Sequence, residues 1–282
     1  MTALGPSELG AARRPFVVLG IALGRLAFGF CLALPLASLV GESGVGFQPD
    51  GDRVLFESSG YLLLEVARLQ GGHISAAFRG LLPLIGLGLA FSLLCNAALL
   101  VALNVSGKLD ARRWLTASLA RAPGLLLLAG GTALVQGLLL GCGALAASAV
   151  PDPLTGARPH DLSVIVIWLC AALLAGAAGG LADIAKAAAV RYQTSLGASL
   201  RIALRALRQY PLRACLGWLP FAAAALLALT CASALTSSLD VSQPGKWRIA
   251  AVLLLHQAVI LLSVALRATW YARALRVAAT SA

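Results

Sequence analysis

Between Ala122 and Val150 the chain carries no Asp, Glu, Lys or Arg. About 20 such residues in helical form cross the hydrocarbon of a bilayer. Five further stretches have the same character, with charges few and placed mostly near their ends: 16–41, 81–105, 163–190, 213–239 and 248–272. The whole chain is 60% hydrophobic and 12% charged, against about 25% charged in an ordinary soluble domain. So little charge cannot coat a water-facing surface around 282 residues. The expectation is an all-α fold: a polytopic membrane bundle of six transmembrane helices, with short amphipathic helices in the interface, forming a single integral membrane domain over 1–282.

A net charge of +11 would suggest nucleic acid in a soluble protein. Here the basic residues gather in the short connections on one side of the spans: Arg13 and Arg14, Lys108 to Arg121, Arg191 to Arg213, and Arg267 to Arg276. The other side holds most of the carboxylates, among them Glu42, Asp52, Glu57, Asp152 and Asp240. Positive residues stay on the cytoplasmic side. The expected location is therefore a bacterial cytoplasmic (inner) membrane, multi-pass, with both termini cytoplasmic and no nucleic-acid partner. Trp247 opens the last span and Trp270-Tyr271 close it, as aromatics do at headgroup level. Arg13-Arg14-Pro15-Phe16 resembles a twin-arginine signal. The apolar run behind it is too long for a secretory h-region, so it reads as a retained first span.

The outer segment 42–79 is the longest connection. Its first part reads as loop, and Ser58 or Ser59 can cap a short helix across Tyr61–Leu69 that Gly71-Gly72 stops. That helix is too short to span and reads as interfacial.

On the cytoplasmic side two connections look alike. Asp110–Pro123 and Ala198–Pro211 superpose with a shift of 88 residues, aligning Arg113 with Arg201, Leu119 with Leu207 and Pro123 with Pro211. Each reads as a basic amphipathic helix ended by a proline that opens the next span. The units 81–150 and 169–239 then form a parallel repeat, or two similar hairpins arisen by chance in Ala/Leu-rich sequence. In the second connection Arg201, Arg205 and Arg208 share one helix face, while Leu200, Ala203, Leu204 and Leu207 form another. A basic amphipathic helix beside a membrane attracts anionic headgroups; plain positive-inside topology is the alternative.

The run Gly179–Arg213, with Asp183-Ile-Ala-Lys-Ala-Ala-Ala-Val-Arg191 followed by Ser199-Leu-Arg-Ile-Ala-Leu-Arg-Ala-Leu-Arg208, resembles bacterial six-span integral membrane proteins of unknown function. Those are similar to the membrane domain fused to some glycerophosphodiester phosphodiesterases. The resemblance implies a six-span helical bundle. It carries over no catalytic residue, because that chemistry belongs to a soluble domain outside this pattern.

Motifs for chemistry are sparse. The cysteines Cys31, Cys95, Cys142, Cys170, Cys215 and Cys231 stand singly, without a C-x-x-C pair, so they read as small apolar residues rather than metal or redox ligands. Gly41-Glu42-Ser43-Gly44 matches the G-x-S-G of rhomboid proteases, and His256 lies in the last span. Ser43, however, starts a polar loop with no helix behind it, where a nucleophile would not be held. No P-loop, H-E-x-x-H or paired carboxylates occur. No enzyme, cofactor or metal is expected.

The intramembrane polar residues remain: Arg25, Asn96, Gln136, Asp183, His256 and Gln257. They are costly in lipid and tend to face partners or cavities. Arg25 and Asp183 lie at comparable depth, roughly 12–14 Å from the cytoplasmic ends of their spans, which predicts an interhelical ion pair. The alternatives are Arg25 snorkelling alone and Asp183 pairing with Lys186 on its own helix. Gly20-x-x-x-Gly24, Gly137-x-x-x-Gly141 and Gly176-x-x-x-Gly180 allow close helix approach. These features point to a non-catalytic scaffold or accessory subunit that contacts anionic lipid and a membrane-protein partner or a second copy. The alternative is a small-solute or lipid transporter, which would need more polar groups along a path.

Overall fold

The computed structural model describes residues 14–42, 71–105, 109–150, 157–238 and 246–281. They form α1 (Pro15–Glu42), α2 (Gly71–Asn104), α3 (Ala111–Ser148), α4 (Ala157–Tyr192), α5 (Leu196–Gln209), α6 (Pro211–Leu216), α7 (Leu219–Ser238) and α8 (Lys246–Thr280). No strand occurs among the described residues. Among the described residues five segments are long and apolar enough to cross a membrane: Leu82–Asn104, Ala111–Ser148, Asp161–Tyr192, Pro211–Thr236 and Ala250–Thr280. Pro15–Cys31 is a shorter apolar helix. The chain is an all-α, multi-pass membrane protein. Ser43, the helix expected over Tyr61–Leu69, Lys108 and Asp240 lie outside the described residues.

Several element boundaries differ from expectation. The second long helix starts at Gly71, ten residues before the expected span and at the glycine pair expected to stop a helix. Pro123 does not end a helix, because α3 runs through it for 38 residues. A proline inside a helix forfeits one backbone bond, but Ala- and Leu-rich flanks favour continuing. At the other connection Tyr210 leaves helical geometry (φ −138°, ψ 63°) and Pro211 opens α6, a first-turn position where no N–H is needed. The span expected over 213–239 is interrupted by a turn at Gly217-Trp218 between α6 and α7. The last helix continues past 272 to Thr280, because Ala274, Leu275 and Ala278 are fully buried and hold it.

The helices group into two compact units. Of the described residues, one takes in Arg14 and Pro15, those within Asn96–Ala224 and those from Ala265 to Ser281. Its core is tight: Leu99, Leu100, Leu103, Ile184, Tyr271 and Leu275 are among the largest fully buried side chains. Within it α4 is the central strut, with its most extensive contacts to α3, α5 and α6. The end of α2 is closed by Arg14, whose Nη2 donates to Val105 O at 2.8 Å and Nε to Ala102 O at 3.2 Å. A guanidinium there satisfies last-turn carbonyls and complements the helix dipole. Trp114 Nε1 donates to Ala98 O at 2.8 Å, tying the first turn of α3 to α2.

The other unit comprises Phe16–Cys95 and Ala225–Val264. Here Phe28 and Phe91 stack at 5.8 Å, fitted against Gly24, where a Cβ would meet the Phe91 ring at 2.9 Å. Many of its leucines, including Leu82, Leu87, Leu89, Leu226, Leu227 and Leu254, are exposed. In lipid such a surface is the solvated one.

Candidate functional site

Asp183 sits on α4, only 3% exposed, and its carboxylate is saturated with donors. Lys186 Nζ, one turn along the same helix, donates to Oδ1 at 3.0 Å. Arg267 Nη2 of α8 reaches Oδ1 at 3.2 Å and Oδ2 at 3.1 Å. Trp270 Nε1, also of α8, donates to Oδ2 at 2.9 Å. Arg267 is held in turn by Tyr271, whose hydroxyl accepts from Nη2 at 3.0 Å and whose ring lies 4.6 Å from the guanidinium carbon. One carboxylate thus faces two cations and an indole N–H, which is how a buried charge is tolerated.

Asp183, for which Arg25 was the expected partner, is occupied from within its own unit. The interhelical partner of Asp183 is Arg267, and the same-helix contact to Lys186 is also made. Arg25 is half-buried with its Nε lacking a hydrogen-bond partner. Trp270 and Tyr271, expected at headgroup level, are also buried within the protein. They are 2% and 0% exposed, and Trp270 packs on Phe221 at 6.1 Å between ring centroids. Trp247, by contrast, is 65% exposed.

The other intramembrane candidates are dispersed. Gln136 Nε2 donates to Ala175 O at 2.9 Å, tying α3 to α4, and lies over Gly179, where a Cβ would come within 2.8 Å of it. Asn96 and Gln257 are half-buried, and His256 is exposed. The His256 Nδ1 bonds Val252 O on its own helix at 2.8 Å. Among the described residues no group of three His, Cys, Asp or Glu could hold a metal ion.

Only one of the glycine patterns makes a close interhelical seat at both positions. Gly176 and Gly180 receive the Trp218 indole, whose Nε1 donates to Cys215 O at 2.6 Å. The turn between α6 and α7 thus sends its own Trp218 ring onto α4. Gly137 and Gly141 have open space where a Cβ would stand, as does Gly20.

The helix α5 is wedged against α4 by Ser199, Ile202, Ala203 and Ala206, all buried. The chain reverses into it through Gln193, the non-glycine residue with positive φ (54°). Ser199, fully buried, turns its hydroxyl back to Leu196 O at 2.8 Å and so needs no other partner. This shifts the expected apolar face: Ala203 is buried, Leu207 is half-buried, and Leu200 and Leu204 are exposed. Those two leucines line an apolar cleft of about 490 Å3 with Leu127 and Thr132 of α3 and Leu181 of α4. Arg201, Arg205 and Arg208 are all exposed. Sequence reasoning missed Arg267 and Trp270 as partners of Asp183 and Tyr271 as the support of Arg267, although their spacing (i, i+3, i+4) places all three on one helix face. No protein-family model, curated protein or solved structure matches the chain.

Proposed function

We propose that this protein is a non-catalytic scaffold or accessory subunit of a bacterial inner membrane, spanning it six times with both termini inside. In this reading it holds a basic platform against the anionic lipid of the cytoplasmic leaflet and offers it to partner proteins. The observation that carries the reading is α5. Four of its side chains are locked into the core, while Arg201, Arg205 and Arg208 stay exposed and Leu200 and Leu204 border an apolar cleft. A helix with arginines on one exposed face and leucines on the next fits the boundary between headgroups and acyl chains, at about 1 kcal/mol per basic residue near an anionic surface.

The Asp183 cluster belongs to the structural side of this reading, because all its acceptors are in use and none is left for a substrate. The turn at Gly217-Trp218 is the feature that favours a transporter instead, since transport sites are built at interrupted helices. The turn is anchored to α4 by its own Trp218 ring, seated on Gly176 and Gly180, which weighs for a structural role. The test is lipid retention. The full chain, reconstituted in mixed bilayers and then extracted, should retain anionic over zwitterionic lipid. R201Q/R205Q/R208Q should abolish most of that preference, and added salt should weaken it. An unchanged preference in the triple variant refutes the platform. Solute flux through proteoliposomes that is lost on widening Gly176 would favour the transporter.

A further inference from the structure

Arg213 near the start of α6, Arg273 and Arg276 near the end of α8, Phe221, Val277 and Thr280 surround a partly open cavity of about 430 Å3. That volume lies in the range of ordinary ligand sites, about 300–1,000 Å3. Three arginines line it. Arg273 and Arg276 stand three residues apart, on one face of α8, and Arg213 comes from another element with its guanidinium carbon 5.7 Å from the Tyr210 ring centre. Among the described residues no carboxylate pairs with any of the three: Asp110 is taken by Arg113, and Asp183 by Lys186 and Arg267. The Thr280 hydroxyl donates to its own helix, at Val277 O and Arg276 O, so the donors free to face a ligand are the arginines.

Positive-inside topology accounts for arginines at this end of the helices. It does not account for three of them converging on one cavity with an aromatic and aliphatic wall. Arg213 and Arg276 are exposed and Arg273 half-buried, so an anion entering from outside can be gripped by several forks at once. Guanidinium forks match the oxygens of a phosphate. Phe221 and Val277 give the cavity an apolar side that a bare inorganic anion would not use.

We propose that this cavity is a binding site for a phosphate ester, held by Arg213, Arg273 and Arg276, with the apolar part of the ligand against Phe221 and Val277. The same chemistry is offered by the headgroup of an anionic phospholipid and by a soluble phosphate monoester. The site is separate from the exposed arginines of α5 and stands whether or not those contact lipid.

Native mass spectrometry of the full chain in detergent tests it, with dioctanoyl phosphatidic acid, dioctanoyl phosphatidylcholine and glycerol 3-phosphate as separate probes. Retention of one phosphatidic acid per chain, with weak glycerol 3-phosphate binding, assigns the site to lipid; equal retention of both assigns it to the soluble ester. In either case R213Q/R276Q should weaken binding by roughly tenfold or more, the effect of losing hydrogen bonds to a charged group. R201Q/R205Q/R208Q should leave it unchanged. If the double variant fails to fold, R276Q alone, at an exposed position, should still weaken binding several-fold. Phosphatidylcholine retained as well as phosphatidic acid, or undiminished binding in the arginine variants, overturns the site. Loss in the α5 triple variant with retention in R213Q/R276Q overturns it while leaving the α5 platform standing.

Discussion

Replacing Asp183 with Asn keeps the shape of the side chain and removes its charge. The amide has one acceptor oxygen where the carboxylate has two, and its NH2 must face one of the donors that now surround it. Lys186, Arg267 and Trp270 all lie within 3.2 Å of the carboxylate, so at least one donor meets another donor. Removing one partner of a buried ion pair costs about 3–5 kcal/mol. The Lys186 side chain is 13% exposed and cannot escape, but that of Arg267 is 40% exposed and can turn toward polar surroundings, which lowers the cost to about 2–3 kcal/mol. That corresponds to roughly 30- to 150-fold in the folding equilibrium. Unfolding by SDS titration in mixed micelles, followed by tryptophan fluorescence, measures it. Asp183→Asn and Arg267→Gln should each destabilise, and the double variant should lose clearly less than the sum. Replacing Asp183, Lys186 and Arg267 together by Leu, Met and Met should recover most of the loss, short by about 1 kcal/mol because the Trp270 N–H keeps no acceptor. Asp183→Asn within about 0.5 kcal/mol of wild type, or strictly additive losses, would refute the clasp.

The glycine seats give a paired test. Gly176→Ala puts a methyl into the Trp218 ring and should lower thermal stability, whereas Gly137→Ala enters open space and should be neutral or stabilising by up to about 1 kcal/mol through helix propensity. Equal effects on melting would mean that Trp218 is not seated there. For topology, single cysteines at positions 52 and 240 should react with an impermeant maleimide applied outside, and cysteines at 108 and 209 only after permeabilisation. Outside labelling at 209 would invert the orientation and take the cytoplasmic assignment of α5 with it.

The helical class of this chain is legible because charge is excluded from long runs, and that exclusion acts on every residue of a span at once. What one residue does against another helix is a different kind of information. The small-residue pattern occurs at Gly20, Gly137 and Gly176, yet only at Gly176 does it bring an indole against both glycines. The pattern permits approach, and the neighbour that uses it is chosen by the fold. Pro123 and Pro211 have the same local signature, and the structure continues through one and stops at the other. The fate of a proline depends on whether the residues around it prefer to stay helical.

Asp183 makes the limit most concrete. Matching by depth is a sound rule for a buried charge, and it selects Arg25 when the last span ends at 272. On that boundary Arg267 lies about 8 Å from the helix end, an ordinary interfacial cation. The helix continues to Thr280, which places Arg267 roughly 20 Å from its end, against roughly 14 Å for Asp183 from the end of α4. The extension consists of Arg273–Thr280, polar enough on one side to read as a tail, while Ala274, Leu275 and Ala278 on the other side are fully buried. A cation cannot be counted as intramembrane until the helix carrying it is known to continue. Here that continuation rests on small side chains whose value is packing, which their hydropathy does not reveal. The same extension carries Arg273 and Arg276 to the rim of the phosphate cavity. A single misjudged helix end therefore hid both the partner of the buried acid and two of the three residues proposed to hold a ligand.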